Sequence, residues 1–127
     1  MDFDPSRPIW LQLLDEFARR IVVNEWPSGS RIPGVRDLAI EFGTNPNTVQ
    51  RALSELERVG LCKSERTSGR FVTENTQTIS DYRSQFASQI VDDFIGRALG
   101  LGLSNDQTQA LIDERWLHAD NDEEANS

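Results

Sequence analysis

Asn47, Gln50 and Arg51 bring together, within five residues, side chains whose paired donors and acceptors match nucleobase edges. Asparagine and glutamine each present one donor and one acceptor, the pattern of adenine, and arginine fits guanine. A helix running from Pro46 toward Gly60 puts all three on one face. At 100° per residue, Val49, Ala52, Leu53 and Leu56 gather on the opposite side, while Ser54 and Arg58 join the polar one. Any surface helix has a polar face. Two features favour base recognition over plain solvation: the first two turns of this face carry no acid, and no long apolar side chain there suits a protein partner. Glu55 and Glu57 lie off its centre.

Little else in the chain could do chemistry. His118 follows Asp113 and Glu114, but a lone histidine beside an acidic stretch reads as a solvated residue, so no metal site is expected. The single cysteine, Cys62, excludes an intrachain disulfide framework and a multi-cysteine zinc site, and reads as a small, partly buried hydrophobe. No nucleophile–base spacing, phosphate loop or paired carboxylates stand out. The sequence therefore predicts neither an enzyme nor a cofactor.

Charge is unevenly distributed over the 127 residues, whose net charge is −8. Residues 1–74 hold ten Lys/Arg against eleven Asp/Glu, and residues 75–127 hold three against ten. Within 31–72 the balance reverses, with seven basic residues against five acidic. A basic island in an acidic chain argues against an indiscriminate polyanion binder and leaves room for one local anion-facing surface.

The elements that must position this surface follow from apolar spacing and turn chemistry. Ile9, Leu13, Leu14, Phe17 and Ile21 predict a first helix, with Pro8 in its opening turn and Asn24 near its end. Trp26-Pro27-Ser28-Gly29-Ser30 reads as a turn. Val35, Leu38, Ala39 and Phe42 predict a short second helix closed by Gly43, and Asn45-Pro46 opens the third as cap and first residue. Leu61–Ser64 and Arg70–Thr73 predict two short strands around Thr67-Ser68-Gly69. The polar run Glu74-Asn75-Thr76-Gln77 marks the expected end of a first domain at residue 74. Two more helices follow. One carries Tyr82, Phe86, Ile90 and Phe94, and the other starts at Ser104-Asn105-Asp106-Gln107, which has capping-box spacing. Residues from Asp120 to Ser127 form an acidic tail expected to be disordered.

Three helices and a hairpin give the element order of a winged helix-turn-helix, so the predicted fold is mainly α with a small β-hairpin. Counted from Val35, a small residue (Ala39) falls fifth, a glycine (Gly43) ninth and a β-branched residue (Val49) fifteenth. These allow close helix crossing, supply a positive φ and plug the inter-helix angle, respectively. The stretches Arg31–Ala39 and Gly43–Ala52, with their Asn-Pro-Asn-Thr-Val run, resemble the DNA-binding domain of the GntR family of bacterial transcription factors, and its YtrA subfamily in particular. The similarity covers residues 6–74 well and continues more loosely through 76–118. The resemblance implies that Arg36 meets the operator and that Asn47, Thr48 and Gln50 meet base edges and phosphates with Arg51 beside them. Asn45, at the mouth of that helix, is taken with them. It further implies that Gly69 approaches the minor groove between Arg66 and Arg70. Three departures stand out. Ser28-Gly29 replaces the family's Pro-Gly, Gly34 replaces a capping serine, and Glu65 puts a negative charge on the wing.

The 53 residues after position 74 are too few to enclose an ordinary ligand pocket of ~300–1,000 Å³. They present more large apolar side chains than two helices bury alone. Tyr82, Phe86, Ile90, Phe94 and Trp116 are thus expected at a homodimer interface. The sequence as a whole predicts a cytoplasmic, dimeric transcription regulator, by resemblance a repressor, bound to double-stranded DNA at a palindromic operator. The competing reading, which the acidic composition and Glu65 favour, is a winged-helix protein-interaction module that binds no DNA.

Overall fold

The computed structural model describes residues 1–126, with side chains through Glu123. Helices α1 (Ile9–Val22), α2 (Val35–Phe42) and α3 (Pro46–Arg58) are followed by the antiparallel hairpin of β1 (Cys62–Glu65) and β2 (Gly69–Val72). Helices α4 (Thr76–Gly100) and α5 (Asn105–Asn126) complete the chain. It divides into two compact units, Met1–Ser84 and Gln85–Ser127.

The first unit is built on one apolar core. Leu13 and Phe17 of α1, Leu38 of α2, and Val49, Leu53 and Leu56 of α3 are fully buried with Leu61 and Val72 of the hairpin region. Each such side chain contributes roughly 1.5–3 kcal/mol relative to exposure. The ring of Phe17 meets Phe42 edge-on at 5.7 Å and Trp26 at 5.4 Å, which ties the turn after α1 to the core.

Local chemistry sets the helix ends where the sequence puts them. Asn24, just past α1, takes φ +66°. Gly43 closes α2 in the left-handed region at φ +62°, which a side chain would strain. The Asn45 Oδ1 atom accepts the Asn47 N–H at 2.7 Å and Pro46 opens α3. Gly34 offers no side-chain cap to α2.

Three features depart from expectation. The strands are displaced by one residue, because Cys62 pairs with Val72 and Glu65 with Gly69. A third extended segment flanks β2, which the sequence reading treats as loop. Ile32 N–H donates to Arg70 O at 2.8 Å, Val72 N–H to Ser30 O at 2.9 Å, and Arg31 bridges Phe71. The first unit also reaches residue 84 rather than 74, since Ile79 and Tyr82 pack against the winged core.

In the second unit, Ser104 and Gln107 form a reciprocal capping box. The Gln107 N–H donates to Ser104 Oγ at 3.2 Å and the Ser104 N–H to Gln107 Oε1 at 2.9 Å. Helix α5 then continues to Asn126, so the stretch from Asp120, expected to be disordered, is helical as far as it is described. Elongation adds one hydrogen bond per residue once a helix exists, and Ala119 and Glu123 are good helix formers. Ser127 lies outside the described residues.

Candidate nucleic-acid interface

The core decides which side of α3 is free. Val49, Ala52, Leu53 and Leu56 are buried, and Asn47, Gln50, Arg51, Ser54 and Arg58 are exposed, as the wheel requires. Thr48 is half-buried. Asn45 is exposed, but its Oδ1 is engaged in the cap. The Gln50 amide donates to Ser54 Oγ at 3.4 Å, one turn along the same face.

Ion pairing sorts the basic side chains of residues 1–74 into two groups. Arg7 pairs with Asp15, Arg19 and Arg20 with Glu16, and Arg58 with Glu55, all within 3.0 Å. Lys63 lies 3.6 Å from Glu65, and Arg70 the same distance from Glu57. Of the ten Lys and Arg residues before position 75, Arg31, Arg36, Arg51 and Arg66 form no ion pair among the described residues. All four are exposed. Arg36 lies on the first turn of α2, Arg51 on α3 and Arg66 in the hairpin turn. Arg31 lies beside β2. Arg31 and Arg66 share a cleft of about 430 Å³ with Gly34, Val35 and Leu53, between the start of α2 and the hairpin. Positive charge left without a partner on the protein projects its full field into solvent.

The hairpin turn is braced from below. Arg31 Nε donates to Ser68 O at 2.8 Å. Gly69 sits at φ +104°, and a Cβ there would stand 3.0 Å from Arg31 Nε. A side chain at position 69 would therefore displace the arginine. Arg31 is a member of this surface that the sequence reading counts only in the basic island. Its signal is weak, because nothing in a loop sequence tells that a backbone carbonyl 37 residues later will hold it.

The two arginines flanking Gly69 are not equivalent. Arg66 is exposed, whereas the Arg70 side chain is only 19% exposed and is turned toward α3, with Nε at 3.6 Å from Glu57 Oε1. The same carboxylate accepts from Ser64 Oγ at 2.5 Å, so Glu57 ties both strands of the wing to α3. Lys63 offsets the charge of Glu65 locally. Cys62 is buried below, its thiol pushed up to about 11 mainly by desolvation, and it stays neutral at pH 7.

Arg51 also has a platform. Its guanidinium carbon lies 4.2 Å from the centroid of the Trp10 ring on α1. Trp10 falls outside the apolar spacing that defines α1, so sequence reasoning passes over it.

The side chains expected at a dimer interface separate as well. Tyr82 packs against the winged core and Phe86 is half-buried. Ile90, Phe94 and Trp116 are 58%, 45% and 66% exposed, in company with Val91, Ile95, Leu99, Leu101, Leu111 and Leu117. An open groove of about 830 Å³ runs along this apolar face of the second unit. Among the described residues no three His, Cys, Asp or Glu side chains are grouped so as to hold a metal ion, and no helix is long and apolar enough to cross a membrane.

A three-helix core, a two-stranded wing and an exposed helix face, set among arginines that form no ion pair within the described residues, define a winged helix-turn-helix protein. Comparison with known proteins makes the class specific. Residues 11–72 match the model of bacterial regulatory proteins of the gntR family. The HTH-type transcriptional regulator YhcF of Bacillus subtilis is 33% identical, over 83% of this chain and 87% of the relative. The transcriptional repressor YtrA of the same organism is 35% identical over 61% and 62%. A GntR family regulator from Listeria monocytogenes superposes with a TM-score of 0.84 at 30% identity, covering 88% of this chain and 98% of that one. The chain belongs to the GntR family. It is a DNA-binding transcription regulator and not an enzyme, and YtrA is among its relatives, as the resemblance in its sequence implies.

Proposed function

We propose that the chain is a homodimeric, cytoplasmic repressor that places α3 in the major groove of a palindromic operator. The observation that carries this reading is the segregation of charge. Of the ten basic residues before position 75, six are neutralised on the protein, and the four that form no ion pair among the described residues, Arg31, Arg36, Arg51 and Arg66, lie around α3 and the wing. Asn47, Gln50 and Arg51 read base edges. Asn45 and Thr48 sit at the helix mouth, where backbone N–H groups favour phosphate. Arg36 and Arg66 hold the DNA backbone, Gly69 brings the wing tip close to the minor groove, and Arg70 holds the wing against α3. The apolar face carrying Ile90, Phe94 and Trp116 pairs two copies, since so large an exposed patch is a partner surface rather than a monomer's surface. Two copies related by a two-fold axis read two half-sites about one helical turn apart. Repression is supported by the repressor YtrA, 35% identical to this chain.

Selection of bound duplexes from random DNA, by the wild type and by the Asn47→Ala, Gln50→Ala and Arg51→Ala variants, tests the reading. The wild type should yield an inverted repeat, and each variant should lose ~1–3 kcal/mol at that site and relax one position in each half. Identical consensus sequences from all four proteins would remove base reading from α3. Failure of the wild type to retain any duplex at low salt would favour the protein-interaction module instead.

A further inference from the structure

We infer that Trp10 is a positioning residue for DNA recognition, acting through Arg51. The inference rests on the proposed role of α3 and extends the recognition surface to α1, which that proposal leaves out. Trp10 lies on the second residue of α1 and is half-buried against the core, so its ring is fixed. Arg51 lies on the second turn of α3, one turn after Asn47 and next to Gln50. Between them the guanidinium carbon stands 4.2 Å from the ring centroid, well inside the ~6 Å range of a cation–π contact.

The physical consequence is preorganisation. A free arginine side chain loses much rotamer freedom when it is fixed on DNA. An arginine already resting on a rigid ring has given up part of that freedom in the unbound protein. The contact also leaves the hydrogen-bonding capacity intact. It acts through the charge and the ring face, and no hydrogen bond or ion pair among the described residues engages the Arg51 N–H groups. Arg20 shows the contrasting arrangement. It too lies over rings, 5.5 Å from Trp26 and 4.9 Å from Phe42, but its N–H groups are taken by Glu16 and Glu41. Arg20 is thereby a structural arginine, while Arg51 is held in place with its donors still available.

The test is a double-mutant cycle on the full chain, with a duplex bearing the consensus selected by the wild type as probe. Trp10→Leu keeps apolar bulk in the core and removes the ring face; Trp10→Phe keeps a ring face. Trp10→Leu should weaken duplex binding about two- to five-fold, Trp10→Phe should stay within about two-fold of wild type, and Trp10→Leu should cost nothing further in an Arg51→Ala background. Thermal melts of each variant separate lost folding from lost recognition. In the free protein, ring-current shifts of the Arg51 side-chain protons should persist in Trp10→Phe and vanish in Trp10→Leu. Equal binding by Trp10→Leu and Trp10→Phe, or the same loss with and without Arg51, overturns the inference and leaves base reading by α3 standing. A wild type that retains no duplex at low salt overturns both together.

Discussion

Asn45 serves the fold and the interface at once, and three substitutions pull the two apart. Its Oδ1 accepts the Asn47 N–H at 2.7 Å, satisfying one of the free donors at the start of α3. Asn45→Ala removes that acceptor, and loss of such a cap costs about 1 kcal/mol. Because the winged unit spans Met1–Ser84, that loss corresponds to a fall of roughly 4–8 °C in Tm. Asn45→Ser and Asn45→Asp both restore a capping oxygen and should melt close to wild type. They diverge on DNA. The carboxylate in Asn45→Asp adds a full negative charge where the helix N-terminus meets the phosphates. A single like-charge contact at 4 Å costs about 1 kcal/mol even in water, so binding should weaken about five-fold or more, while Asn45→Ser stays near wild type. Calorimetry and fluorescence anisotropy at about 50 mM salt, where electrostatics are least screened, read the two effects separately. An unchanged Tm in Asn45→Ala would show that the cap contributes nothing. Wild-type affinity in Asn45→Asp would show that this end of α3 does not face phosphate.

Other expected outcomes follow from the same geometry. Phe94→Asp places an unpaired charge on the apolar face of the second unit and should convert a particle of about twice 14.4 kDa to a monomer by light scattering; an unchanged mass would move the interface elsewhere. Arg66→Ala should weaken binding to all duplexes alike and lower the salt slope by about one, and a changed consensus would instead make Arg66 a base reader. Glu16 is held below its usual carboxylate range mainly by its hydrogen bond from Arg19, with Arg20 adding to it. A lowered folded-state pKa contributes stability that is present above the unfolded value near 4.5 and is lost as pH falls through the folded one. Urea unfolding between pH 5 and 3 should therefore lose less stability in Glu16→Gln than in wild type, and equal slopes would show that the Arg19 and Arg20 contacts do not favour the ionised carboxylate.

The features legible along the chain are local ones. Gly43 ends α2, Asn45 and Pro46 start α3, and Ser104 with Gln107 start α5, because each signal acts within a few residues of the backbone group it satisfies. The buried side of α3 is legible for the same reason, since a fixed helical period sorts Val49, Ala52, Leu53 and Leu56 from Asn47, Gln50 and Arg51. Which charges are free to act depends instead on packing across the fold. Arg66 and Arg70 read alike in a wing sequence, yet Arg70 is turned to Glu57 while Arg66 is exposed and forms no ion pair among the described residues. Arg31 reaches Ser68 O and Arg51 rests on Trp10, contacts between residues roughly forty positions apart. The boundary moved for the same reason, because Ile79 and Tyr82 meet a core that the polar run at 74–77 gives no hint of. Side-chain partners across a fold are set by how whole elements pack, and no local period or cap encodes that.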